Sequence, residues 1–231
     1  MDHTTLRGRI VSWYEERKDD SDRSREDFTI TRHGDGLMVL RSFCQLYDNG
    51  IVRDVVVAVD DTMSPRDASI RVMVDDTTQG TAWYHFTDDS IECEASTDAG
   101  RISQRTTRES KLATLGTHAL QSDAWLLAKL DFSREPGPQR MDNIPFCSSH
   151  HLGATGPHLE ILGAGVEYLG DEEVTVGAGT FACHRLRFVE TSNDHPPYDV
   201  WVSADGYYLF LKGYVGGDWK VNYELVWLEE E

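Results

Sequence analysis

The stretch Leu37-Met38-Val39-Leu40-Arg41-Ser42-Phe43-Cys44-Gln45-Leu46-Tyr47, then Asp48-Asn49-Gly50, then Ile51-Val52-Arg53-Asp54-Val55-Val56-Val57-Ala58-Val59 decides the fold. Both arms are rich in β-branched and aromatic residues, and Asn49-Gly50 tolerates the positive φ of a tight hairpin. Two antiparallel strands are therefore predicted. Side chains alternate between the two faces of a strand, so Val39, Arg41 and Phe43 share one face and Leu40, Ser42 and Cys44 the other.

The same period continues outward. Between residues 28 and 108, short β-rich segments are divided by Pro65, Gly80, Asp88-Asp89 and Asp98-Ala99-Gly100. That pattern predicts a first antiparallel meander over 28–108, with strands near 68–75, 81–87, 91–96 and 101–108. Before it, Leu6, Ile10, Trp13 and Arg17 recur at helical spacing and predict a short N-terminal helix. The run from Lys18 to Asp27 has no apolar residue and reads as a solvated linker.

Residues 111–157 change character. Leu120, Ala124, Trp125, Leu127 and Leu130 suit a helix with Ser122 or Asp123 as its N-cap, and Ser148 to Pro157 read as a long irregular connection. Strand periodicity returns over 158–228, near 166–169, 173–176, 181–190, 198–203, 207–215 and 220–228. With no low-complexity linker and no repeat, residues 1–231 are expected to form one domain: a mainly β barrel or strongly curved sheet of about twelve strands, with one helix between two meanders. Two packed sheets are the alternative.

Forty acidic against 22 basic side chains give a net charge of −18 in 231 residues. Nucleic acid and anionic membrane surfaces are disfavoured by sign, because both are bound mainly through Lys and Arg. No apolar stretch approaches membrane-spanning length and Met1 to Arg9 lack the apolar core of a signal peptide, so a cytoplasmic location is expected. The four cysteines are far apart and have no CxxC pairing, which fits reduced, buried thiols.

Several strands are apolar on both faces, with ionisable groups embedded in them. Arg41 lies between Val39 and Phe43, and Lys212 shares a face with Tyr208, Phe210 and Tyr214. Such a pattern suggests an enclosed lumen, lined by aromatics and holding a small hydrophobic ligand. Filled core packing is the plainer reading of each residue by itself.

The segment Glu173-Val174-Thr175-Val176-Gly177-Ala178-Gly179-Thr180-Phe181-Ala182-Cys183-His184-Arg185-Leu186-Arg187-Phe188, followed by Tyr198-Asp199-Val200-Trp201-Val202-Ser203-Ala204-Asp205-Gly206-Tyr207, resembles uncharacterised bacterial lipocalin-like half-barrel proteins. The resemblance is confined mainly to residues 173–228. It implies a lipocalin-like barrel and supplies no catalytic residue.

Neither GxxxxGK[ST] nor GxGxxG occurs, and there is no GxSxG elbow, so no nucleotide cofactor and no serine hydrolase are expected. His150 and His151 are adjacent, with His118 and His158 in the same region, but no HxH or HExxH spacing supports a metal. No cofactor is predicted. Cofactor-free acid/base chemistry needs a base, a proton donor and a cation in a dry cavity. The expected catalytic groups are His118, Lys212, Arg41, His150 and His151. Phe43, His85, Arg185, Tyr198, Trp201, Phe210 and Tyr223 are the expected substrate contacts.

The resulting expectation is a cofactor-independent lyase or isomerase acting on a hydrophobic, aromatic or polycyclic small molecule. A non-catalytic carrier of a hydrophobic ligand is the rival. Self-association through an exposed sheet edge would give a homo-oligomer.

Overall fold

The structure is a computed structural model and describes residues 3–16, 23–108, 114–191 and 196–231. The first half contains β1 (His3–Tyr14), β2 (Ser24–His33), β3 (Met38–Leu46), β4 (Ile51–Val59), β5 (Pro65–Val74), β6 (Thr77–Phe86), β7 (Ser90–Thr97) and β8 (Gly100–Thr107). A single α-helix, α1 (Leu120–Leu126), follows among the described residues. The second half contains β9 (Gly137–Phe146), β10 (Glu160–Val176), β11 (Gly179–Thr191), β12 (Tyr198–Ser203), β13 (Phe210–Val215) and β14 (Val221–Glu230).

All strands belong to one sheet, ordered β8-β7-β6-β5-β4-β3-β2-β1-β14-β13-β12-β11-β10-β9. Each half is a meander, and the halves join where β1 pairs antiparallel with β14. The sheet is curved and unclosed, with β8 and β9 at its two ends. The mainly β architecture is as the period-two pattern predicts, and one sheet replaces the two-sheet alternative.

Alternation sets the inside. Phe28, Ile30, Leu40, Val55 and Val57 are buried on the concave face, while Arg41 and Asp54 are exposed on the convex one. The hairpin at Asp48-Asn49-Gly50 forms as expected, with Gly50 at φ 60° closing a 3-10 turn.

Three expectations need correction. The N-terminal helix is strand β1, bonded to β2 on one side and β14 on the other. Its Thr, Val, Ile, Trp and Tyr content suits a sheet, and two ladders outweigh a three-residue helical spacing. The register shift at Arg9/Ile10 comes from an extra residue in β14, Val226; along β1 the parity is unbroken, with Leu6, Gly8, Ile10 and Ser12 all buried. The polar run after Lys18 is no linker where it is described: Ser24 to Asp27 open β2, with Ser24 and Glu26 buried. Arg17 and Lys18 to Asp22 lie outside the described residues. Finally, residues 137–146, where no strand is predicted, form β9. It carries Pro138 and Pro145, which only a sheet edge readily accepts. Among the described residues fourteen strands replace the expected twelve or so: β1 and β9 are new, and the segments near 166–169 and 173–176 are one strand, β10.

The helix lies within the concavity, with Gln121, Ser122, Ala124, Trp125 and Leu126 all buried. The expected N-caps are inside it, and Ala119 precedes it with no capping side chain. Trp125 Nε1 donates to Tyr207 O at 2.9 Å. The Gln121 amide donates to Tyr208 O at 3.1 Å and accepts from Phe210 N at 3.0 Å.

Residues 147–159 cross the gap between the sheet's ends. The Gln104 side chain on β8 accepts from Leu159 N at 2.7 Å and donates to Leu159 O at 3.0 Å, as a neighbouring strand's peptide group would. Tyr84 Oη donates to His158 O at 2.8 Å.

Candidate functional site

Arg53 lies in β4 between inward-facing Ile51 and Val55 and is 1% exposed. Burying a guanidinium is costly unless its donors are engaged. They are bonded to main-chain carbonyls of His118 at 2.9 Å, Gly153 at 3.4 Å and Leu152. One buried cation thus holds the segment before the helix and the covering loop onto the sheet.

Glu26, on the same face of β2, holds the helix. Its Oε2 accepts Leu120 N at 2.6 Å and its Oε1 accepts Gln121 N at 3.2 Å and Ser42 Oγ at 2.9 Å. These bonds satisfy helix-terminal N–H groups that no local side chain reaches. Burial pushes the carboxyl above its ordinary range, against the pull of those donors. Asp123 Oδ1 accepts Thr117 N at 3.0 Å. Burial, reinforced by the Glu26 charge, raises its pKa to about 7 against the opposing N–H bonds and Arg53.

Beside these groups is a cavity of about 190 Å³ with mostly apolar walls, among them Leu126, Ile144, Phe146, Phe188 and Val215. Arg23, His151, Leu152 and Trp219 belong both to it and to an outer hollow of about 760 Å³. The His151 and Trp219 rings are 5.3 Å apart.

The structure gathers part of the residue set singled out from sequence. His118, His151, Tyr198 and Tyr223 line the cavity, with the two tyrosine rings 6.0 Å apart. Burial raises the pKa of both phenols. His118 Nε2 is 3.0 Å from Ser148 O, at a backbone φ of 59°. His150 does not line the cavity; it stacks on His151 at 4.7 Å, and its Nδ1 accepts Leu152 N at 3.2 Å. Burial, His151 and Arg53 hold its pKa below the usual range.

The others sit elsewhere. Arg41 and Phe43 are on the convex face, exposed, with Arg41 reaching Thr31 Oγ1 at 3.4 Å. His85 stacks on exposed Trp83 at 5.3 Å. Trp201 lies on the face opposite Tyr198 and Val200, flanked by Arg185 at 4.9 Å and Lys212 at 5.2 Å. Lys212 therefore lies beside Trp201, a ring outside the expected set of Tyr208, Phe210 and Tyr214, and does not line the hollow. Phe210 is buried against Tyr223, with ring centroids 6.4 Å apart.

Sequence reasoning missed Glu26, Arg53, Asp123 as a cavity residue, and Trp219. Arg53 carried a usable signal: it is embedded among Ile51, Val55 and Val57 just as Arg41 is among its neighbours. Glu26 carried none, because a strand end whose buried residues are polar looks like a linker.

No protein-family model matches the chain, and no curated protein is similar to it. Among solved structures, the chain is similar to the crystal structure of a β-barrel-like protein of a domain of unknown function, DUF1849, from Brucella abortus. The match has a TM-score of 0.55 and 10% identity, over 98% of this chain and 96% of that one. A DUF1089 family protein from Pseudomonas aeruginosa aligns at a TM-score of 0.42 and 10% identity, over 83% and 89%. The first likeness supports a barrel-like fold shared with an uncharacterised bacterial protein, and nothing about activity.

Proposed function

We propose that the protein binds a small hydrophobic molecule inside its curved sheet, as a lipocalin-like half-barrel. One observation carries the reading. An apolar cavity shares four lining residues with an outer hollow, while the ionisable groups deepest beside it, Glu26, Arg53 and Asp123, are bonded to the protein's own main chain. An apolar cavity of about 150 Å³ already accommodates benzene. A volume of about 190 Å³ suits one substituted ring or a short chain, and anything polycyclic extends into the outer hollow.

The test is calorimetric titration with single-ring and two-ring aromatics, on the wild type and on Ala164→Leu, which adds bulk to a cavity wall. Single-ring compounds should bind the wild type, and the variant should lose them while keeping its circular dichroism spectrum. Equal binding to both proteins would place the ligand elsewhere and end this reading.

A second reading, cofactor-free lyase or isomerase chemistry, draws support from Asp123. A carboxyl with a pKa of about 7 beside an apolar cavity is suited to moving protons near neutral pH. Under that reading, Asp123→Asn abolishes turnover of a bound aromatic compound but leaves its affinity within about twofold. Turnover that survives the substitution would exclude Asp123 as the base.

A further inference from the structure

Arg23, just ahead of β2, is 8% exposed and lines both the inner cavity and the outer hollow. Its main chain is fixed on two sides: Arg23 N donates to Ser12 O at 2.7 Å, and Arg23 O accepts Tyr47 N at 3.0 Å. The guanidinium is held by phenols. Nε donates to Tyr14 Oη at 3.1 Å, Cζ lies 5.4 Å from the centre of that ring, and the positive charge opposes the rise that burial imposes on the Tyr223 phenol. Among the described residues no carboxylate pairs with it. A buried guanidinium without an anionic partner is costly to keep, and its charge is far less screened than one at the surface.

The neighbouring charges do not take the place of that partner. Glu26 and Asp123 line the inner cavity, but their oxygens accept N–H groups at and before the helix, and Arg53, bonded to main-chain carbonyls, keeps its positive charge beside them. Glu15, Glu16, Asp48 and Asp218 line the outer hollow and are all exposed, so water and salt screen them, and Lys220 Nζ lies 3.2 Å from Glu16. Aromatic surface adjoins Arg23. The Tyr223 ring is 6.0 Å from Tyr198, which stacks on Phe188 at 5.9 Å, and all three line the inner cavity.

Resting on the binding reading above, we propose that the ligand is a monocarboxylate carried on a single ring or short apolar chain. Its carboxylate pairs with Arg23 where the cavity meets the hollow, and its apolar part packs against Phe188, Tyr198 and Tyr223. With Nε engaged by Tyr14, the terminal amino groups of the fork remain for the ligand and the Tyr223 hydroxyl. A carboxylate there neutralises a charge that the fold leaves buried, an alcohol gains an uncharged contact, and an ammonium meets like charge.

Three probes of similar size separate these terms: phenylacetate, 2-phenylethanol and 2-phenylethylamine, titrated by calorimetry into the full chain. Phenylacetate should bind about tenfold more tightly than the alcohol, and the amine more weakly than either. In Arg23→Met, which removes the charge and the donors but keeps an apolar stem, phenylacetate should lose that tenfold advantage. An alcohol or amine that binds the wild type as tightly as phenylacetate overturns the inference alone, and so does a phenylacetate preference that persists in Arg23→Met. The wild-type ranking decides the matter if the variant does not fold. Failure of all three probes would overturn the binding reading and this inference together.

Discussion

Oε2 of Glu26 accepts the N–H of Leu120 at 2.6 Å across 94 positions of sequence. A strand side chain therefore does the capping that the residue before the helix, Ala119, cannot do. A seven-residue helix has little stability of its own, so this bond and the packing of Trp125 decide whether it forms.

Glu26→Gln should destabilise the protein by about 1–3 kcal/mol in urea denaturation, because an amino donor then faces N–H or O–H donors. Ser42→Ala, which removes one neutral donor to Glu26, should cost about 1 kcal/mol. If the two variants are equally stable, the cap is not what holds the helix.

Asp123 gives the fold a pH dependence of definite sign. Its pKa is about 7 in the fold against an ordinary 3.8, so the folded protein holds the proton more tightly. The resulting stabilisation is complete below pH 3.8 and is withdrawn as pH rises through about 7. The urea midpoint of the wild type should therefore fall between pH 5 and pH 8, and Asp123→Asn should flatten that fall. An identical slope in both proteins would remove Asp123 as its source.

Gln104 closes the seam between the sheet's two ends with two bonds to Leu159. Gln104→Ala should cost about 1–3 kcal/mol and speed amide hydrogen exchange at Leu159, with exchange in the β3–β4 hairpin unchanged. Gln104→Glu keeps the acceptor for Leu159 N but sets a carboxylate against Leu159 O, so it should show the same local loosening.

Arg53 fastens the covering loop through Leu152 and Gly153. Arg53→Met keeps most of the side-chain bulk and removes the donors, so limited proteolysis should cut between Cys147 and His158 at least about tenfold faster than in the wild type. Unchanged cleavage would mean that the loop is held by its other contacts, those of Gln104, Tyr84 and His118 among them.

The amino-acid sequence by itself determined the period-two architecture, the hairpin at Asn49-Gly50 and the single helical interruption, because alternation and turn chemistry are local. It left open which parity of each strand faces inward. Arg41 and Arg53 read alike in their apolar settings, yet pairing between β3 and β4 turns Arg41 to solvent and Arg53 to the core. Only the tertiary structure decided that β1 is a strand, since its partners lie up to 224 residues away at Leu6 and Glu230. Only it revealed that polar residues of β2 line a cavity. Both outcomes depend on long-range pairing and burial, which offset local preferences once distant segments supply hydrogen bonds and exclude water.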